Sequence, residues 1–194
     1  MTVAATRHTR TRSRGDRGVA AIEFIIVFPM LLLLFIGTIN ITKFMNVNLK
    51  VKAAAELAAD LVTRHKDTIK TSDIDDYFTA AELSLRPIDA TNVRVDVYNF
   101  YLKNKTDTQA TLRWSKSSSN GTACSEPDTS STSPISKLVV AGQTTDVVLA
   151  VVCVPFSMPG IPWLGTAFNN KVIERQMFMA LRESQTLCIL TPCP

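Results

Sequence analysis

The chain has 194 residues, 46% of them apolar, with 21 Lys and Arg against 17 Asp and Glu for a net charge of +4. That length suggests one modest domain beside an apolar segment. Residues 1–18 hold Arg7, Arg10, Arg12, Arg14, Arg17 and one Asp (Asp16), a net of +4, which leaves 16 basic and 16 acidic residues beyond. The basicity is therefore a topology signal confined to the tail, which argues against a nucleic-acid-binding face.

From Val19 to Ile41 run 23 residues in which Glu23 is the only charge. At about 1.5 Å per residue, a stretch of that length crosses a bilayer core as one helix. Five Arg before it, against Lys43, Lys50 and Lys52 after it, predict a cytoplasmic N-terminus and an exported remainder. A charge inside a span is costly unless it is paired, so Glu23 is a functional candidate. The segment has three candidate readings. In a plain signal anchor, Glu23 snorkels to the near interface. A cleaved secretory signal fits poorly, because no small-x-small site follows the long apolar run. In the third reading a peptidase cuts after Gly18. Val19 then becomes a new α-amino terminus, and its ammonium can neutralise the Glu23 carboxylate of a neighbouring subunit. Pro29 needs no functional role, since neighbouring groups in a membrane can satisfy the hydrogen bond it lacks.

The stretch "RGVAAIEF" resembles the class III signal of type IV pilins, a Gly followed by four residues and a Glu, with Phe24 where the Flp major pilins often have Tyr. The wider "RGDRGVAAIEFIIVFPMLLLLFIGTINITKF" resembles the TadE-like family, minor pilin-like proteins of tight-adherence (Tad) pilus systems. Gly18, Ala21, Glu23, Phe24, Pro29 and Gly37 carry that likeness, which extends over residues 15–65 and more loosely over residues 144–182. The resemblance implies a minor pilin or pseudopilin with no cofactor, substrate or catalytic activity, cut between Gly18 and Val19 by a prepilin peptidase. It further implies that Glu23 and Phe24 recruit the next subunit. The implied partners are the membrane, that peptidase, other pilins and the inner-membrane assembly platform. The implied location is a single-pass inner-membrane protein with a periplasmic domain, open to incorporation in an extracellular pilus. The rival reading is an unprocessed, signal-anchored periplasmic scaffold or sensor.

Beyond the span the helical period continues through Phe44, Val47, Val51, Ala54 or Ala55, Ala58 and Leu61, without Pro or Gly from Thr38 to Thr71. One helix of about 70 Å is predicted from about Val19 to about Arg64. "TSDIDDYFTAAELSLRP" reads as a second helix, with Ser72 and Asp75 as a capping box and Pro87 after the last turn. In "NVRVDVYNFYL", Val93, Val95 and Val97 alternate with Arg94, Asp96 and Tyr98, the pattern of a half-buried strand. "QATLRWSK" predicts its antiparallel partner, joined by "KNKTDT", with Leu112 and Trp114 on one face. "TTDVVLAVVCVPF" is continuously apolar and hence central. "KVIERQMFMALRES" puts Ile173, Arg175, Met177, Met179 and Leu181 on one face of a last strand, although residues 172–182 also suit a helix by propensity.

The Ser/Thr-rich stretch over residues 116–136 predicts a mobile loop. The expected division is a basic leader at 1–18, a membrane helix at 19–42 and an exported domain at 43–194. The fold class is α+β, a long N-terminal helix on a roughly four-stranded antiparallel sheet.

The cysteines are Cys124, Cys153, Cys188 and Cys193. An even count in an exported region suggests disulfides, and four cysteines allow three pairings. Proximity favours Cys188 with Cys193, leaving Cys124 with Cys153. Zinc lacks a C-x-x-C pair, and the only histidines are His8 and His65. No nucleophile–base pair is visible. "DTSST" at Asp128–Thr132 resembles the metal-holding pattern of von Willebrand A domains but lies in a low-complexity stretch. The sequons at Asn104 and Asn120 carry no assigned role. Trp114, Trp163, Met177 and Met179 read as core, and His65 as a solvated residue near a helix end.

Overall fold

Residues rich in good helix formers and free of internal Gly past Gly37 build one helix of 48 residues, α1 (Asp16–Thr63), with Pro29 inside it. The computed structural model describes residues 16–65, 68–88, 92–101, 110–119, 121–130, 134–135, 146–156, 171–181 and 189. Residues 1–15 of the basic leader expected at 1–18, the turn "KNKTDT", Asn104, Asn120, Trp163, Cys188 and Cys193 lie outside these residues.

The chain divides into two compact units, Met1–Lys43 and Phe44–Pro194. In the first, the side chains described from Gly18 to Phe35 are all exposed, and nearly all are apolar. Its polar side chains after Gly37 turn onto the helix's own backbone. The Thr38 hydroxyl donates to the Leu34 carbonyl at 2.8 Å, and the Asn40 amide to the Ile36 carbonyl at 3.0 Å. Such i to i−4 bonds satisfy polar groups without water or a partner.

In the second unit α1 buries Val51, Ala54, Ala55, Ala58, Ala59 and Val62 completely. The predicted stripe is thus wider than expected and ends on Val62, while Leu61 is half-buried. The inner face of the sheet and the buried side of α2 (Thr71–Ser84) belong to the same core, so more of the helix circumference is covered. Four alanines leave no side-chain bulk to hold the packed elements apart. Helix α2 starts one residue before the predicted cap. Lys70 is the N-cap, and Asp73, not Asp75, reaches back to the Lys70 N–H at 3.3 Å.

The sheet contains β1 (Arg94–Tyr101), β2 (Thr111–Ser117), β3 (Val147–Phe156) and β4 (Lys171–Ala180), antiparallel in the order β2-β1-β3-β4. Residues 171–180 are therefore strand. The expected α+β arrangement of a long helix and a four-stranded antiparallel sheet is the observed one. Val95, Val97, Ala150 and Val152 face inward to one core, and Phe100, Leu149, Val151 and Cys153 outward to a second. Strand β1 is hence buried on both faces, not half-buried as its alternation predicts.

A register shift beside Asn99 and Phe100 pairs them with Trp114 and Leu112, which leaves Arg113 as the extra residue of a bulge. Leu112 and Trp114 consequently face opposite sides, and Leu112 is 46% exposed. The bulge turns Arg113 onto Asp146, with Nε 3.2 Å from Oδ2, and its guanidinium carbon lies 4.1 Å from the centre of the Tyr101 ring.

Candidate functional site

Gly18 and Gly37 lie in α1, and a Cβ built at either would meet nothing within 4 Å. Glycine in a helix interior costs roughly 0.5–1 kcal/mol relative to Ala, so packing gives no reason for it here. Glu23 is exposed on the apolar surface, one helical turn from Val19, and no partner reaches its carboxylate among the described residues. Phe24 stacks obliquely on Phe28, with ring centroids 5.3 Å apart. The helix Ala21–Thr63 contains a segment long and apolar enough to cross a membrane, none of which is buried within the chain. This geometry offers one carboxylate and a run of large apolar side chains to whatever surrounds the helix.

The family model described as "TadE-like protein" matches residues 18–60. Over this span the chain is similar to the TadE-like family. The TadE-like segment begins at Gly18 and holds Val19, Glu23 and Phe24, together with the alanine-lined stretch of α1 that packs in the second unit. It stops before α2 and the sheet. No curated protein and no solved structure matches the chain.

Outside the TadE-like segment, Cys124 and Cys153 form a disulfide with their Cα atoms 5.7 Å apart. Composition predicts a mobile loop here, yet Lys116 and Ser117 end β2, and residues 118–119 and 121–130 form a strap tied down at several points. The Ser118 N–H donates to the Val95 carbonyl at 2.8 Å, and its hydroxyl accepts from the Val95 N–H at 3.0 Å. Gly121 has φ +78°, and a Cβ there would lie 2.7 Å from the Val93 carbonyl carbon. Cys124 reaches β3, and the Ser125 N–H donates to the Glu174 carboxylate of β4 at 3.3 Å. The strap thus crosses the outer face of the sheet from β1 over β3 to β4.

Burial opposes ionisation of Glu174, but hydrogen bonds from Gln176 and Ser125 outweigh it and hold the carboxyl below the usual glutamate value. Burial, reinforced by Asp96, raises the Tyr98 phenol above its usual value against the pull of Arg94. Asp128 accepts from the Ser130 N–H at 2.9 Å and from its hydroxyl, a local turn at the "DTSST" pattern. His65 is half-buried, with Nδ1 3.4 Å from the Tyr77 hydroxyl. A groove of about 360 Å³ between α2 and β2 mixes Asp75 and Glu82 with Lys116 and serines. Among the described residues no three His, Cys, Asp or Glu side chains are grouped to hold a metal.

Sequence reasoning missed the Arg113–Asp146 pair and the Glu174 anchor of the strap. Only the Arg inside an apolar alternation pointed to the first. Nothing local pointed to the second, which joins residues 49 positions apart.

Proposed function

We propose that this chain is a minor pilin-like component of a Tad-type pilus, inserted with its N-terminus in the cytoplasm and trimmed between Gly18 and Val19 by a prepilin peptidase. The observation that carries this reading is the TadE-like match beginning at Gly18, on a largely exposed apolar stretch of helix, Val19 to Ile41, whose one carboxylate lies a turn beyond the cut. Cleavage gives Val19 an α-ammonium, and Glu23 of a neighbouring subunit is its complement. Each charge offsets much of the desolvation of the other, so the pair is tolerable only in the assembled state. Phe24 and Phe28 give the same helix face an aromatic contact surface. The unpacked Gly18 supports the reading too, because a backbone without a side chain admits a peptidase closely. The exported domain then serves assembly or initiation of the pilus, with other pilins and the inner-membrane platform as partners and with no catalytic role.

Replacement of Glu23 by Ala tests the pairing. Insertion and cleavage continue, and incorporation into the assembly falls by about tenfold or more, the loss of one partly buried charge pair. Incorporation at normal levels would remove the basis of the proposal.

A further inference from the structure

The two sulfurs of the Cys124–Cys153 disulfide have unlike surroundings. Cys153 is 1% exposed, in the middle of the outer core with Leu149 and Val151, whereas Cys124 is half-buried at the strap. The strap is also held without the disulfide, by Ser118 on Val95 and Ser125 on Glu174. The outer core that it covers is distinct from the helix-side core. We infer that Cys124 is the thiol–disulfide exchange site of this protein: the sulfur that meets an external disulfide oxidant, with Cys153 as the buried resolving thiol.

The chemistry balances in two exchanges. The Cys124 thiolate attacks one sulfur of an oxidant R–S–S–R, forming Cys124–S–S–R and expelling RS⁻, which takes up the proton Cys124 gave. The Cys153 thiolate then attacks Cys124 Sγ, closes the protein disulfide and expels the second RS⁻, again protonated. Two protein thiols are oxidised by two electrons, and the oxidant is reduced to two thiols. The second step is intramolecular, because the flanking hydrogen bonds keep Cys124 beside Cys153. Direct attack by Cys153 on the oxidant is blocked, since it needs the outer core opened and a thiolate formed among apolar side chains. The strap is thereby a clasp on the outer face that closes last. The inference does not depend on the pilus reading.

The test uses the full chain in detergent micelles, reduced and then pulsed with iodoacetamide. Trypsin separates the sites, because Lys116, Lys137, Lys171 and Arg182 place Cys124, Cys153 and the Cys188/Cys193 pair on different peptides. Cys124 should alkylate about tenfold or more faster than Cys153, which reacts only through local opening. With glutathione disulfide, Cys153→Ser should accumulate a glutathione adduct on Cys124, whereas Cys124→Ser should leave Cys153 unmodified over the same time. Equal alkylation of the two, whether the reduced chain is loosened or unfolded, overturns the proposal. So does a glutathione adduct on Cys153 in the Cys124→Ser chain.

Discussion

At the scale of single residues, the chain holds its charges in two ways. Glu23 is exposed on an apolar helix with no partner among the described residues, whereas Asp146 and Arg113 pair inside the domain with side chains only 7% and 10% exposed. Such a buried pair adds little over a well-packed apolar one, but loss of one member leaves the other uncompensated. Asp146→Ala should therefore destabilise the domain by about 3–5 kcal/mol in denaturant unfolding, and a change below about 1 kcal/mol would refute the pairing. The residues on which the proposed function rests, Gly18 and Glu23, stand out in the sequence by position: a glycine at the end of the basic tail, five residues before the one charge in an apolar run. The Arg113 bulge was not legible, since the extra residue preserves apparent alternation while reversing the face of Leu112.

At the scale of elements, helices and strands followed from period and length, and their surroundings did not. Continuous apolar sequence marked β3 as central, but β1 is double-sided because Phe100 joins a second, outer core that Ala110, Ile135 and Cys124 help to cover. A Ser/Thr-rich composition says that a segment lacks a core of its own, not that nothing pins it. Two predictions test that pinning. Gly121→Ala puts a Cβ at positive φ against the backbone of Asn92, Val93 and Arg94, all within 2.8 Å. It should cost about 1–3 kcal/mol, read as raised hydrogen exchange in the strap with the α1–α2 core unchanged. Glu174 tests the same pinning through pH. Its folded carboxyl titrates below the ordinary value, so its contribution is complete above the unfolded pKa and is lost as pH falls through the folded one. Protection of the Ser125 amide should therefore drop on acidification below the usual glutamate range. Glu174→Gln should abolish that dependence, and an unchanged pH profile in the variant would contradict the assignment.

At the scale of the whole molecule, one unit presents an unburied apolar helix and the other a two-core α+β domain, and the TadE-like match extends from the first into the second. The alanine-rich half of that helix has its explanation in the domain it packs within. The half before Lys43 has none among the described residues, and the proposed function assigns it to the membrane and to contacts with other subunits. Trimming at Gly18 is the step on which the proposed function turns, since it would create the ammonium that complements Glu23. Intact-mass and N-terminal sequence analysis of the protein recovered from membranes of cells with an active prepilin peptidase tests this directly. The mature chain should begin Val19-Ala20-Ala21-Ile22-Glu23, and recovery of the chain with its arginine-rich leader still attached would rule out the cleavage.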